Sequence, residues 1–137
     1  MKNERLALFF GGDILDSIET FSWKKVKLSE HVDLLTGFPF KSSLYSDDKD
    51  SIKLRRGDNV AQGYLLWEGV KRWTLSDSDD FTKYWLEKDD VILAMDRPWI
   101  EAGLKNAWVK EGDLPCLLVQ RVTRMRGAKG LLTSFLR

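Results

Sequence analysis

The feature that most constrains this chain is the run of residues 37–43, which reads Gly-Phe-Pro-Phe-Lys-Ser-Ser. Proline has a fixed φ and no backbone N–H, so the run suits neither a helix interior nor a central strand. Two aromatic rings are also unusual in an ordinary surface loop, because they expose a large apolar area. We therefore predict an extended arm in which Phe38 and Phe40 are core residues, Pro39 stiffens the backbone, and the polar residues that follow face outward.

The size and composition of the chain are those of one globular domain with a substantial core. It has 137 residues, of which 43% are hydrophobic and 31% are charged. It contains no apolar run long enough for a membrane helix, and its single cysteine, Cys116, excludes a disulfide within these residues. These features predict a cytoplasmic protein without a membrane partner.

The charge balance limits the ways in which the chain can bind nucleic acid. The net charge is only +1, from 22 basic and 21 acidic residues. Domains that coat nucleic acid through bulk charge are usually clearly basic, so binding of that kind is not expected. One local basic face with an acidic back is compatible with the same balance.

Hydrophobic periodicity and turn residues predict an α+β fold, with short helices around a mixed, mostly antiparallel twisted sheet. Residues 1–22 are predicted to form a helical extension of unclear role, and residues 23–137 a single domain. Within that domain, helices are predicted from Ser29 through Leu35, from Ser78 with Phe81, Tyr84 and Trp85 on one face, and near residues 131–137. The predicted strands cover residues 23–28, 52–55, 64–67 paired with 70–73, 91–95, 104–109 and 117–125.

The residue types that usually carry catalysis or bind metals do not form a recognisable pattern. The chain has one histidine, His31, and one cysteine, which excludes a histidine-rich or cysteine-rich metal site. Residues 77–88 superficially resemble a calcium loop, but Thr82 and Lys88 stand where a glycine and a bidentate glutamate are needed. We therefore predict no catalytic residue, metal or cofactor. A nuclease that uses the acidic turns is a further hypothesis, and we expect no nuclease activity.

Basic, amide and hydroxyl side chains are instead concentrated in the predicted turns. The candidate DNA-binding residues are Lys41, Ser42, Ser43, Arg55, Arg56, Asn59, Arg97 and Lys105. Side chains of these types can contact phosphates and donate or accept hydrogen bonds at base edges. The alternative for each residue is an ordinary solvated turn, and the alternative for the Gly-Phe-Pro-Phe-Lys-Ser arm is a packing role only.

The aromatic content supports a different class of function as the alternative. A cytoplasmic sugar- or peptide-binding module would use exposed tryptophans as a stacking platform. The candidates are Trp67, Trp73, Trp85, Trp99 and Trp108. Several of them lie in apolar strand patterns that favour a core position instead.

Motifs in a fixed order resemble the target recognition domain of type I restriction–modification specificity subunits. They are residues 23–45, which include the Gly-Phe-Pro-Phe-Lys-Ser run, and residues 52–65, 84–95, 102–109 and 114–125. The sequence departs from the usual pattern at Lys88 and Asp89, where a glycine is common. The resemblance covers about residues 23–126.

This resemblance implies a non-catalytic component that reads one half of a split target in double-stranded DNA. It also implies modification subunits that bind S-adenosylmethionine and methylate adenine, and a restriction subunit, as partners. Long spacer helices would follow such a domain, and the sequence ends at Arg137 before them, which predicts a fragment or a truncated natural form. The chain alone is expected to bind DNA weakly, with a shallow salt dependence.

Overall fold

The computed structural model describes residues 24–97, 99–101 and 103–137. In these ranges nine short strands are joined by turns, and the only helical segments are six 3₁₀ turns of three or four residues. The strands are β1 (Val32–Thr36), β2 (Ile52–Arg55), β3 (Arg72–Trp73), β4 (Val91–Ala94), β5 (Trp99–Ile100), β6 (Gly103–Leu104), β7 (Asn106–Trp108), β8 (Cys116–Leu118) and β9 (Val122–Gly127). The 3₁₀ turns are Leu28–Glu30, Ser42–Leu44, Gly57–Asn59, Thr82–Tyr84, Glu111–Asp113 and Thr133–Leu136. The helical part of the predicted α+β fold is therefore minor.

The strands form three sheets. The largest has the order β1-β9-β4-β7 and is antiparallel throughout. The second has the order β3-β2-β8, in which β2 is antiparallel to β3 and parallel to β8. β5 and β6 form a separate two-stranded hairpin. The mixed, mostly antiparallel pairing agrees with the prediction, although it is divided among three sheets.

Strand β8 connects two hydrophobic clusters. Cys116 and Leu118 belong to a cluster that also contains Ile92 and Val122 of the large sheet. Leu117 and the following Val119 belong to a second, aromatic cluster. Successive side chains of a strand point to opposite faces, so an apolar run that is buried on both faces serves both cores.

The second cluster contains Phe40, as predicted, and Phe38 is partly buried and packs against it. Phe40 is only 3% exposed, and its ring centroid lies 4.9 Å from those of Phe38, Trp73 and Phe81. Pro39 and Lys41, on either side of Phe40, are exposed. We call Phe38, Phe40, Trp73, Phe81 and Tyr84 the aromatic cluster; its edge-to-face contacts add to the free energy gained by burial.

The predicted helix from Ser29 through Leu35 is wrong. The chain makes one 3₁₀ turn at Leu28–Glu30 and then forms strand β1. β1 pairs with β9, about 90 residues later in the chain, with Val32 opposite Gly127 and Thr36 opposite Thr123. Pairing with so distant a partner overrides a local helical pattern.

The predicted helix from Ser78 is also wrong, because acidic side chains close local turns there. Asp79 Oδ2 accepts the backbone N–H of Ser76 at 2.9 Å, and Asp80 Oδ1 accepts that of Thr82 at 3.2 Å. Such side-chain bonds compete with helix formation. In place of the helix the chain forms the 3₁₀ turn Thr82–Tyr84. Phe81, Tyr84 and Trp85 nevertheless pack in or against the second cluster.

Four strand predictions need correction as well. Residues 104–109 are not one strand, because Leu104 ends β6 and Asn106–Trp108 form β7 in a different sheet. Residues 64–67 form no strand, and β3 pairs with β2 instead. Residues 117–125 are two strands in different sheets, separated by a turn in which Arg121 has a φ of 63°. Residues 24–27 form no strand. The helices predicted before residue 23 lie outside the described residues, and the division into an extension and a single domain stays a prediction.

Candidate nucleic-acid interface

Three strands end at the same edge of the molecule. β2 and β8 are parallel, and the N–H of Val119 donates to the carbonyl of Arg55 at 3.1 Å where both strands end. β4 is antiparallel to β9, and the N–H of Met95 donates to the carbonyl of Arg121 at 2.8 Å just before β9 begins. The turns that follow β2, β4 and β8 are therefore neighbours.

These turns surround a cleft with a volume of about 770 Å³. Its charged lining consists of four cationic and two acidic side chains, namely Arg56, Arg97, Lys105, Arg121, Asp58 and Asp96. Ser42, Tyr45 and Gln120 add hydroxyl and amide groups. We call this the cationic cleft, because positive charge exceeds negative charge on its lining.

Most of these cations have weak local partners. Arg56 pairs with Asp58 at 2.9 Å, and Arg121 pairs with Asp96 at 3.0 Å. The Lys105 Nζ atom donates to the carbonyl of Gly57 at 3.2 Å, which ties the turn after β6 to the turn after β2. Exposed ion pairs contribute little to stability, so a phosphate can replace the carboxylate at low cost.

Arg97 stands at the start of the β5–β6 hairpin. Its side chain is exposed, and its backbone φ of 47° lies in the left-handed region that non-glycine residues rarely adopt. Within the described ranges no salt bridge involves Arg97. Its guanidinium is thus available to an anionic ligand in the cleft.

The cleft gathers part of the predicted site. Ser42, Arg56, Arg97 and Lys105 line it, although they are far apart in sequence. Lys41 and Ser43 do not line it but flank Ser42 on the arm, and both are exposed.

Arg55 is placed differently from its neighbour Arg56. It is fully buried, and its Nη1 atom donates to the carbonyls of Asn59 and Leu66, both at 3.3 Å. The guanidinium carbon lies 3.7 Å from the centroid of the Trp67 ring, and burial lowers the pKa of Arg55 to about 10. In this conformation the side chain does not reach the cleft.

Asn59 also has an internal role. It is 5% exposed; its Oδ1 atom accepts the N–H of Arg56 at 3.3 Å, and its carbonyl accepts the N–H of Leu66 at 2.8 Å. The prediction of direct contact is therefore revised for Arg55 and Asn59. Both residues hold the turn that presents Arg56.

Several polar lining residues were missing from the sequence prediction, among them Gln120, Arg121 and Tyr45. Gln120 and Arg121 were assigned to the interior of one long strand, although two adjacent polar residues in an apolar run are a turn signal. Tyr45 lies with its ring centroid 5.8 Å from the guanidinium carbon of Arg56. Tyr45 is the tyrosine at the end of the family motif in residues 23–45, and this motif was the sequence signal for a role at the site.

In the described part of the chain, Trp67, Trp73, Trp85 and Trp99 do not form a shared platform. The Trp67 Nε1 atom donates to Asp113 at 2.6 Å, and Arg55 covers the ring. Trp73 and Trp85 pack against the second hydrophobic cluster, whereas Trp99 is 73% exposed. The stacking surface that a sugar-binding module needs is thus not assembled from these residues.

In the part of the chain that the structure describes, no three histidine, cysteine, aspartate or glutamate side chains are grouped so that they can hold a metal ion. No helix in the same ranges combines the length and the apolar character that crossing a membrane requires.

Known proteins similar in sequence are type I restriction enzyme specificity subunits, and no protein-family model matches the chain. The EcoAI specificity subunit of Escherichia coli is 35% identical over 115 residues, which are 83% of this chain and 19% of that subunit. The MjaVIII specificity subunit of Methanocaldococcus jannaschii is 34% identical over 74% of this chain and 24% of that subunit. The chain thus spans about a fifth of the length of these relatives.

Solved structures show the same fold. The HsdS subunit from Thermoanaerobacter tengcongensis matches with a TM-score of 0.56 at 16% identity, over 96% of this chain and 29% of that one. A chain from a structure of a type I restriction–modification system matches with a TM-score of 0.55 at 14% identity, over 90% of this chain and 30% of that one. The chain therefore belongs to the family of type I restriction–modification specificity subunits, and its described part has the fold of a target recognition domain.

Proposed function

We propose that this domain reads one half of a split target in double-stranded DNA, with the cationic cleft as its contact surface. The observation that carries the proposal is the convergence of four cations from four separate turns on a chain whose net charge is only +1. Such a local basic face gives phosphate affinity where the duplex lies, without general attraction to nucleic acid.

The side chains of the cleft divide into two kinds of contact. Arg56, Arg97 and Arg121 have forked N–H groups that suit a phosphate or the O6 and N7 atoms of guanine. The Gln120 amide has the donor and acceptor that adenine requires, and Lys105 supplies a point charge for a phosphate. The exposed arm residues Lys41, Ser42 and Ser43 extend this surface along one side.

In this proposal the chain itself makes and breaks no covalent bond. Methylation and cleavage are carried out by modification and restriction subunits, which the bound specificity subunit directs to the target in the cytoplasm. Besides Asp58 and Asp96, which pair with arginines, the described cleft lining contains arginine, lysine, hydroxyl and amide groups, which bind and orient, and no histidine or cysteine.

A transfer experiment tests this proposal. Residues 24–137 replace the corresponding segment of the E. coli relative that shares 35% identity, and the methylated sites are then mapped across a genome. We expect one half of the split target to change, while the other half and the spacing between them are retained. Methylation at the unchanged target of the original relative, by a complex that contains the transferred segment, would contradict the proposal.

A further inference from the structure

The β5–β6 hairpin rises from the wall of the cationic cleft. Arg97 precedes β5, Lys105 follows β6, and both side chains line the cleft. The base of the hairpin is anchored to the large sheet, because the N–H of Ala94 donates to the carbonyl of Lys105 at 3.0 Å. Whatever lies in the cleft is thus in reach of the hairpin.

One face of the hairpin is apolar and exposed. Trp99 stands opposite Leu104, and side chains opposite each other in an antiparallel pair lie on the same face. The exposed fractions are 73% for Trp99 and 36% for Leu104. A tryptophan with this exposure is a large apolar surface that no contact within the described domain covers.

The other face lies against the domain. Gly103 has a φ of 115°, and a Cβ atom at this position would lie 2.6 Å from the Nε2 atom of Gln62. Ile100 stands opposite Gly103 and is 38% exposed, so this face contacts the domain at Gly103 and not along its whole length. Since successive residues of a strand point to opposite faces, Trp99 is directed away from Gln62.

We propose that this hairpin is a ribbon that enters a groove of the duplex held in the cleft, where Trp99 contacts the base pairs. The inference rests on the proposed function. The major groove is about 12 Å wide and admits a two-stranded ribbon, and an apolar side chain there can contact the thymine methyl group. The occupant is DNA because Arg97 and Lys105 place two positive charges together at the base of the hairpin, where they can meet the phosphates beside the groove that the hairpin enters.

Three single variants test this inference in the full-length specificity subunit assembled with its modification subunits. The probe is the duplex that this complex selects from a random pool, compared with a duplex of mixed sequence. The variants are Trp99→Ala, Arg97→Gln and a matched control, Phe135→Ala. Phe135 is 77% exposed and lies in the last 3₁₀ turn, which is tied to Gly127 at the far end of β9 from the cleft.

We expect Trp99→Ala to weaken binding of the selected duplex at least tenfold and binding of the mixed duplex less than twofold. The salt dependence of DNA binding stays unchanged in Trp99→Ala, because an indole neutralises no phosphate. Arg97→Gln weakens binding of both duplexes and makes the salt dependence shallower. Phe135→Ala leaves the ratio of the affinities for the two duplexes unchanged.

The outcomes separate the inference from the function on which it rests. Suppose that Arg97→Gln weakens binding while Trp99→Ala keeps the full preference for the selected duplex. The hairpin then does not enter a groove, whereas the cleft remains the DNA-binding surface. The ribbon is also refuted if Trp99→Ala weakens both duplexes equally. If neither variant weakens binding, the cleft is not the DNA-binding surface, and both proposals fail.

Discussion

The aromatic cluster and the cationic cleft share the arm that begins at Phe38, yet the side chains of the arm are held in opposite ways in the two regions. Phe40 is packed among rings at centroid distances of 4.9 Å, whereas Ser42, two residues later, is exposed at the cleft. The rings depend on close packing, which tolerates little change in volume. The cleft cations depend on weak exposed pairs. The domain therefore has a fixed interior and a surface on which side chains can be exchanged without unfolding.

Two adjacent arginines show this difference within one segment. Arg55 is in the interior and donates to two main-chain carbonyls, whereas Arg56 lines the cleft beside Asp58. β2 is the central strand of its sheet, and its last residues are covered on both faces. The chain emerges from the core only at Arg56. Identical side chains thus have a structural role at one position and a proposed binding role at the next.

The largest effect is expected from a cavity in the aromatic cluster. Phe40→Ala should lower the free energy of unfolding by about 3–5 kcal/mol, because it removes a buried ring and leaves a void that its neighbours cannot fill. The measurement is urea unfolding followed by circular dichroism. Leu44→Ala, at a position 59% exposed on the same arm, is the control and should stay within about 0.5 kcal/mol. Equal losses from both variants would show that the arm is not anchored by its rings.

A smaller loss of stability is expected from the buried arginine. Arg55→Met should lower the free energy of unfolding by about 1.5–3 kcal/mol, because hydrogen bonds from a charged donor to two carbonyls are lost. The salt dependence of DNA binding by the assembled subunit should not change, since Arg55 meets no phosphate. A shallower salt dependence in this variant would mean that Arg55 leaves the interior to contact DNA.

The exposed arginine should show the converse behaviour. Arg97→Met should leave the free energy of unfolding within about 0.5 kcal/mol. The slope of log K against log salt should become shallower by about 0.9, the value for one phosphate contact. Fluorescence anisotropy titrations over a range of salt concentrations give this slope. A stability loss as large as that of Arg55→Met would remove the distinction between the two arginines.

Local patterns predicted the interior better than the surface. The strand at residues 52–55 and the burial of Phe38 and Phe40 follow from apolar residues that are close in sequence. Strand β1 could not be found in this way, because its partner β9 is about 90 residues away. The helix predicted from Ser78 does not form, because the Asp79 and Asp80 side chains accept hydrogen bonds from backbone N–H groups of tighter turns.

The DNA-binding role of the candidate residues stays a prediction, and the sequence did not show how these residues are arranged. Ser42 and Arg97 are exposed and Arg56 is half-buried at the cleft, but nothing in one sequence shows which turns converge. Arg55 is buried because side chains alternate between the two faces of β2 and because β2 lies between two neighbouring strands. Asp89 illustrates a signal that the sequence did carry: it occupies a left-handed φ of 71°, the conformation that favours the glycine usual in the resembling family.

The proposed function requires that the cationic cleft, and not the general charge of the domain, holds the duplex. The most direct test compares two triple variants in the assembled specificity subunit: Arg56, Arg97 and Lys105 changed to glutamine, or Lys24, Lys25 and Lys27 changed to glutamine. The control lysines are exposed and precede β1, whose first residue pairs with the end of β9 that is opposite to the cleft. We predict that the cleft variant makes the slope of log K against log salt shallower by about 2.7, from about 0.9 per contact, and that the lysine variant leaves it unchanged. Equal slopes for the two variants would show that the general charge of the domain, and not the cleft, holds the duplex.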